Sequence, residues 1–144
     1  MTPDGPVKAL VLALAEMTAG VRARQEELAQ TIVAEGGKPI TYARAEMGRG
    51  LMTLKLAAEE AERVGGEVLP LDQRPDTGGR WGITPFNFPF NLMAHKVGPA
   101  LAAGNPIIVK PASKTPITAL LLAEIYDRAG LPPGGLQVLP SAVA

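Results

Sequence analysis

Cysteine is absent from the 144 residues. That excludes disulfides, thiolate metal sites and a cysteine nucleophile within this chain. Histidine occurs once, at His95, so a histidine-rich metal site is excluded as well. There is no excess of either charge: 14 Lys and Arg balance 14 Asp and Glu, and no run of like charge marks a nucleic-acid face or a solvated tail. Long apolar runs are missing. The longest, Ala9 to Ala15, falls far short of the ~20 residues that a membrane helix needs. The first residues carry Asp4 and a single Lys, without the basic start of a secretory signal. A cytoplasmic protein is the expectation. Also lacking are a G-x-G-x-x-G turn after a strand, a P-loop, a Ser-His-Asp order and any metal-ligand spacing. What is present is an apolar content of 47%, enough to build a core, on a length that suits one domain.

The first half reads as helical. Leu10, Leu14, Met17, Val21, Leu28 and Ile32 recur at steps of three, four or seven, a stripe on one helical face. Gly20 is a weak point in it, so the stretch is two helices or one bent one. Gly36-Gly37-Lys38-Pro39 stops it, glycine supplying the left-handed cap and proline blocking resumption. A further helix is predicted from about Ile40 to Val64, ended by Gly65-Gly66. Its inner face is Ala43, Met47, Leu51, Leu54 and Ala61. Its outer face is Arg44, Glu46, Arg49, Glu59, Glu60 and Arg63. Together these form an antiparallel helical hairpin over residues 1–66, a scaffold without chemistry of its own. A turn-rich loop, 67–79, follows.

Residues 80–144 read as a βαβαβ unit. A strand ends at Ile83, and prolines at 85 and 89 bracket Asn87. A helix follows and closes at Gly104-Asn105-Pro106. Ile107-Ile108-Val109 is a short apolar run of the kind that forms a buried parallel strand. Thr115-Pro116 predicts the next helix start, with threonine as N-cap and proline at the first helical position. Gly130 marks its end, and Leu136-Gln137-Val138-Leu139 is the third strand. In such a unit the loops after successive strands share one edge of the sheet, where ligands bind. Here those loops carry Asn87 and Lys110-Ser113.

Asn87 has an amide that donates two hydrogen bonds and never ionises. Held at a strand end it can stabilise an oxyanion in carbonyl chemistry; alternatively it is a turn asparagine bonding its own backbone. Lys110 and Ser113 suit ribose hydroxyls or a phosphate, with Lys114 adding charge, or they are a solvated strand end. A helix starting at Thr115 would point its positive end at the same edge and favour an anion there. His95 is a candidate base, more simply a hydrogen-bonded structural residue, with Lys96 beside it. Glu35 reads as a surface residue of a last turn.

Ile83-Thr84-Pro85-Phe86-Asn87-Phe88-Pro89, the run from Ala94 to Asn105, and Lys110-Pro111-Ala112-Ser113 closely resemble the aldehyde dehydrogenase superfamily. Glu35-Gly36-Gly37-Lys38-Pro39 and Gly130-Leu131-Pro132-Pro133-Gly134 match two more of its recurrent segments. The resemblance implies a partial Rossmann-like, incomplete aldehyde dehydrogenase fold, an α/β architecture of helical hairpin plus parallel sheet. It implies oxidation of an aldehyde to an acid with NAD or NADP, through attack by a cysteine thiolate and release by water activated by a glutamate. Asn87 would be the oxyanion-hole asparagine. Ile83, Thr84, Pro85 and Phe86 would line the nicotinamide-ribose side. Lys110, with Pro111 and Ala112, would hold the adenosine ribose. Ser113 stands where many NAD-preferring members have a glutamate, so NADP, or both cofactors, is expected.

Two departures qualify the resemblance. Relatives run about three times longer, and the cysteine and glutamate of the chemistry would lie beyond Ala144. The first strand is also short, Gly78-Gly79-Arg80-Trp81-Gly82 running almost directly into Ile83. A family fragment, inactive alone, is the expectation. The alternatives are a nucleotide-binding or partner-complementing module, with a second polypeptide or a homo-oligomer completing it, and a non-functional remnant. No nucleic-acid or membrane partner is expected, and the aldehyde is not specified.

Overall fold

The computed structural model describes residues 6–63 and 81–141. The expected 67–79 loop and the Gly65-Gly66 helix stop lie outside these residues. The elements are α1 (Pro6–Ala23), α2 (Gln25–Gly36), α3 (Ile40–Glu60), β1 (Trp81–Ile83), α4 (Asn91–Ala102), β2 (Ile107–Lys110), α5 (Ile117–Arg128) and β3 (Leu136–Val138). The three strands form one parallel sheet in the order β1-β2-β3. Helices α4 and α5 pack against the strands on one side and against α1, α2 and α3 on the other. The expected βαβαβ unit and its helical scaffold are therefore both present.

The helical stripe divides into α1 and α2 at Arg24, not at Gly20. Gly20 is there for a different reason. A β-carbon on it would come within 2.8 Å of Ile125 Cγ2, so glycine is what lets α5 approach α1. Arg24 bonds Glu27 at 2.7 Å and Glu124 of α5 at 3.0 Å, tying the break to the far helix. Gly37 caps α2 with φ +66° and its N–H on the carbonyl of Val33 at 2.9 Å, as glycine there requires. α3 ends at Glu60, a few residues before the expected Val64.

One apolar core joins the helices and the inner sheet face, with Met17, Val21, Leu28, Met47, Phe90, Met93, Val97 and Leu122 fully buried. Among the described residues the sheet is covered on one face only. Gly82, Ile107, Val109 and Leu136 point inward and are buried, whereas Trp81 and Ile83 are 66% and 68% exposed. The apolar run at β2 is thus half-buried at Ile108, not buried throughout as expected. Among the described residues no helix is long and apolar enough to cross a membrane.

Candidate functional site

Parallel pairing decides where the two loops go. β1 lies against β2 with Ile83 opposite Lys110, and the N–H of Thr84 donates to the Lys110 carbonyl at 3.1 Å. Both chains leave the sheet at the same edge. From there Thr84 turns inward and is buried, while Pro85, Phe86 and Asn87 are exposed. No hydrogen bond to the Asn87 side-chain amide is formed among the described residues. Asn87 is therefore not the self-bonded turn residue that was the simpler expectation.

Lys110 is half-buried, and its Nζ donates to the Pro111 carbonyl at 3.3 Å, a long local bond. Pro111 is buried, Ala112 half-buried and Ser113 exposed. Ser113 Oγ donates to the Ser141 carbonyl at 2.8 Å, which brings the segment after β3 to the same edge. Lys114 Nζ sits 5.4 Å from the centroid of the Phe86 ring and joins the two loops. All nine expected site residues, Ile83 to Asn87 and Lys110 to Ser113, thus gather on one rim. His95 and Lys96 do not join them. His95 is exposed on α4 with its ring Nε2 3.4 Å from Thr53 Oγ1, a hydrogen-bonded surface residue. The Lys96 stem runs toward Gly82.

Several expectations about this rim fail. α5 begins at Ile117, Pro116 is its N-cap, and Thr115 contributes no cap bond; its Oγ1 is buried without a partner. The cap comes from Glu35, eighty-two residues away. Its carboxylate accepts from the N–H of Ile117 at 2.8 Å and of Thr118 at 3.0 Å, and from the Thr118 hydroxyl. Glu35 does lie in the last turn of α2, but half-buried and bonded to α5, not as a free surface residue. The positive end of α5 already holds a carboxylate, so it is not free for a ligand anion.

Glu46 is a further correction. Placed on the outer face by its charge, it is wholly buried. It accepts from the N–H of Phe90 at 2.9 Å and of Asn91 at 3.1 Å, the first turn of α4, and pairs with Lys38. Lys38 Nζ also donates to the Asn87 carbonyl at 2.6 Å. These three residues, Glu35, Lys38 and Glu46, were missed as parts of the site. One signal was available for Glu46: it sits between Ala43 and Gly50 on the buried stripe of α3, where an unpaired charge is not tolerated.

The rim fits part of a dinucleotide. A cation and a hydroxyl at a parallel strand end, with no acidic residue from Lys110 through Thr115, match a ribose and its phosphate. Residues 6–144 match the family model described as the aldehyde dehydrogenase family. This chain belongs to the aldehyde dehydrogenase family. It is 48% identical over 128 residues to 3-sulfolactaldehyde dehydrogenase from Priestia aryabhattai, covering 81% of this chain and 27% of that protein. Its fold is similar to that of glyceraldehyde-3-phosphate dehydrogenase from Methanocaldococcus jannaschii solved with NADP, at TM-score 0.84 and 37% identity over 96% of this chain and 33% of that one. It is similar also to an NAD-dependent aldehyde dehydrogenase from Sinorhizobium meliloti, at TM-score 0.83 and 30% identity, covering 96% of this chain and 29% of that one. The chain thus spans about a quarter to a third of these aldehyde dehydrogenases.

Proposed function

We propose that this chain supplies the cofactor-side rim of an NAD(P)-dependent aldehyde dehydrogenase site. The observation that carries the reading is the Ile83–Lys110 register, which sets Asn87 and Lys110 on neighbouring loops of one sheet edge. The cofactor, when bound, accepts hydride from the aldehyde carbon. Lys110 and Ser113 hold its adenosine ribose, and the absence of a carboxylate at Ser113 leaves space and potential for a 2′-phosphate, so NADP is taken at least as well as NAD. Ile83, Thr84, Pro85 and Phe86 flank the nicotinamide ribose. Asn87 donates its free amide to the oxygen that becomes negative when a thiolate adds to the carbonyl, a donor whose loss costs about 10²–10³ in rate. With no cysteine among the 144 residues, that thiolate belongs to sequence outside them.

Calorimetric titration of the chain with NADP tests the reading. Binding that is abolished by Lys110→Met supports it; no binding at millimolar NADP would sink it. No steady NADPH production is expected from the chain alone.

A complementing polypeptide is a second reading, favoured by the sheet face that none of the described residues covers. Trp81, Ile83 and Leu139 stand 66%, 68% and 50% exposed there and just past β3, and unpaired strand edges are ready templates for further strands. Such a partner would carry the thiolate and the glutamate base. Adding a polypeptide that contains the rest of the family fold should restore NADPH production from an aldehyde; a mixture that stays silent and unassociated counts against it.

A further inference from the structure

We propose that Lys38 and Glu46 act as a positioning pair that sets the Asn87 turn, and through it the direction of the Asn87 amide. The inference rests on the reading of Asn87 as the oxyanion donor. Neither residue touches the proposed ligand; both act on the main chain that carries it.

Asn87 lies in a turn with no regular ladder to hold it. Its neighbours are fixed instead by two side chains from the helical scaffold. The buried carboxylate of Glu46 takes the N–H groups of Phe90 and Asn91, which fixes where α4 starts. Those N–H groups have no partner inside the helix, so a carboxylate is the stabilising group there. A buried carboxylate needs a counter-charge. Lys38 provides it, and its ammonium has donors to spare. One goes to the Asn87 carbonyl at 2.6 Å. The same ammonium lies 4.1 Å from the centroid of the Phe88 ring, and Arg49 lies 5.1 Å from it. The turn 87–91 is therefore gripped at Asn87, Phe88, Phe90 and Asn91 by one connected set of charges. A change at Lys38 is transmitted to Asn87 through a single hydrogen bond.

The test uses the isotopically labelled chain. In the unsubstituted protein the Phe90 and Asn91 N–H groups should exchange at least ~100-fold more slowly than unstructured amides. Lys38→Met should shift the Asn87 carbonyl 13C and side-chain amide resonances and raise fast motion at residues 86–88, with Val109 and Leu122 unchanged. Lys38→Arg, which keeps charge and donors, should restore most of the Asn87 signature. If Lys38→Met lowers thermal stability but leaves every Asn87 resonance in place, the pair is only structural and the proposal is overturned. If Lys38→Met does not fold, the unsubstituted chain still decides: fast exchange at Phe90 and Asn91 would show that Glu46 does not hold the turn. Failure of the chain to bind NADP would sink the dehydrogenase-site reading separately, leaving these spectra to judge the pair.

Discussion

Gly50 on α3 faces the ring of Phe90 so closely that a β-carbon built on it would lie 2.2 Å from one ring carbon and 2.5 Å from the next. Phe90 is fully buried and immediately precedes α4. The glycine is what lets the aromatic ring come this close to the helix. Gly50→Ala should therefore push Phe90 off its seat, even though alanine is the better helix former. Overpacking of this kind costs about 1–3 kcal/mol. Urea denaturation should show a lower midpoint, and resonances of residues 86–91 should move. Gly48→Ala, where the added carbon meets nothing within 4 Å, should stabilise or do nothing.

Glu35 supplies the cap that Thr115 does not. Replacing it with alanine removes both acceptors from the Ile117 and Thr118 N–H groups. Loss of a helix cap costs about 0.5–2 kcal/mol. The expected result is a lower denaturation midpoint and faster amide exchange at Ile117 and Thr118, with Leu122 and Ile125 less affected. Thr115→Val should be close to neutral, since its hydroxyl has no partner to lose.

The Arg44 guanidinium and, to a lesser extent, Gln30 hold the Glu26 carboxyl down from 4.5 to about 2. The pair links α2 to α3 at 2.7 Å. A carboxyl depressed in the folded chain stabilises it above the unfolded value, and that contribution disappears as pH falls through the folded value. The link should therefore be intact at pH 5 and above and lost progressively between about pH 4.5 and 2. Glu26→Gln should flatten the acid limb of stability in that window by lowering stability slightly at pH 5 and above, with variant and parent converging near pH 2. Both partners face solvent, so the effect should also shrink in high salt.

Cofactor preference should turn on Ser113. A carboxylate there would repel a 2′-phosphate and accept the ribose hydroxyls of NAD. Ser113→Glu should weaken NADP binding by roughly tenfold or more, a change of about 1.4 kcal/mol, with NAD binding held or improved. Calorimetry with both nucleotides reads the ratio directly.

Much of this chain could be read before its structure. The stops at Gly37 and Gly130 came from local chemistry, and both glycines have the positive φ that such stops need. The Ile107–Val109 run announced β2, and the parallel arrangement followed from the order of elements. The gathering of Asn87 with Lys110-Ser113 on one rim was legible for the same reason. The illegible parts depend on residues far apart in sequence. Thr115 has the right type for a cap, yet Glu35 competes for the same N–H groups and wins from another helix. Glu46 looked solvated because charge normally marks an outer face; only the Lys38 ammonium and the start of α4 explain its burial. The first helix breaks at Arg24, not Gly20, and at that break Arg24 reaches Glu124 of α5, a partner one hundred residues away.

Glu35 and Glu46 have a joint consequence. Each sheet-side helix begins on an acid group that belongs to the preceding helical segment. Removing that segment would leave two bare helix starts in the remaining half, while Glu46 would keep Lys38 as its counter-charge in the half taken away. The sheet half of this chain thus depends on the helical half for its helix starts as well as for packing. Residues 80–144 expressed by themselves should be poorly folded, whatever the length of the apolar strands they contain.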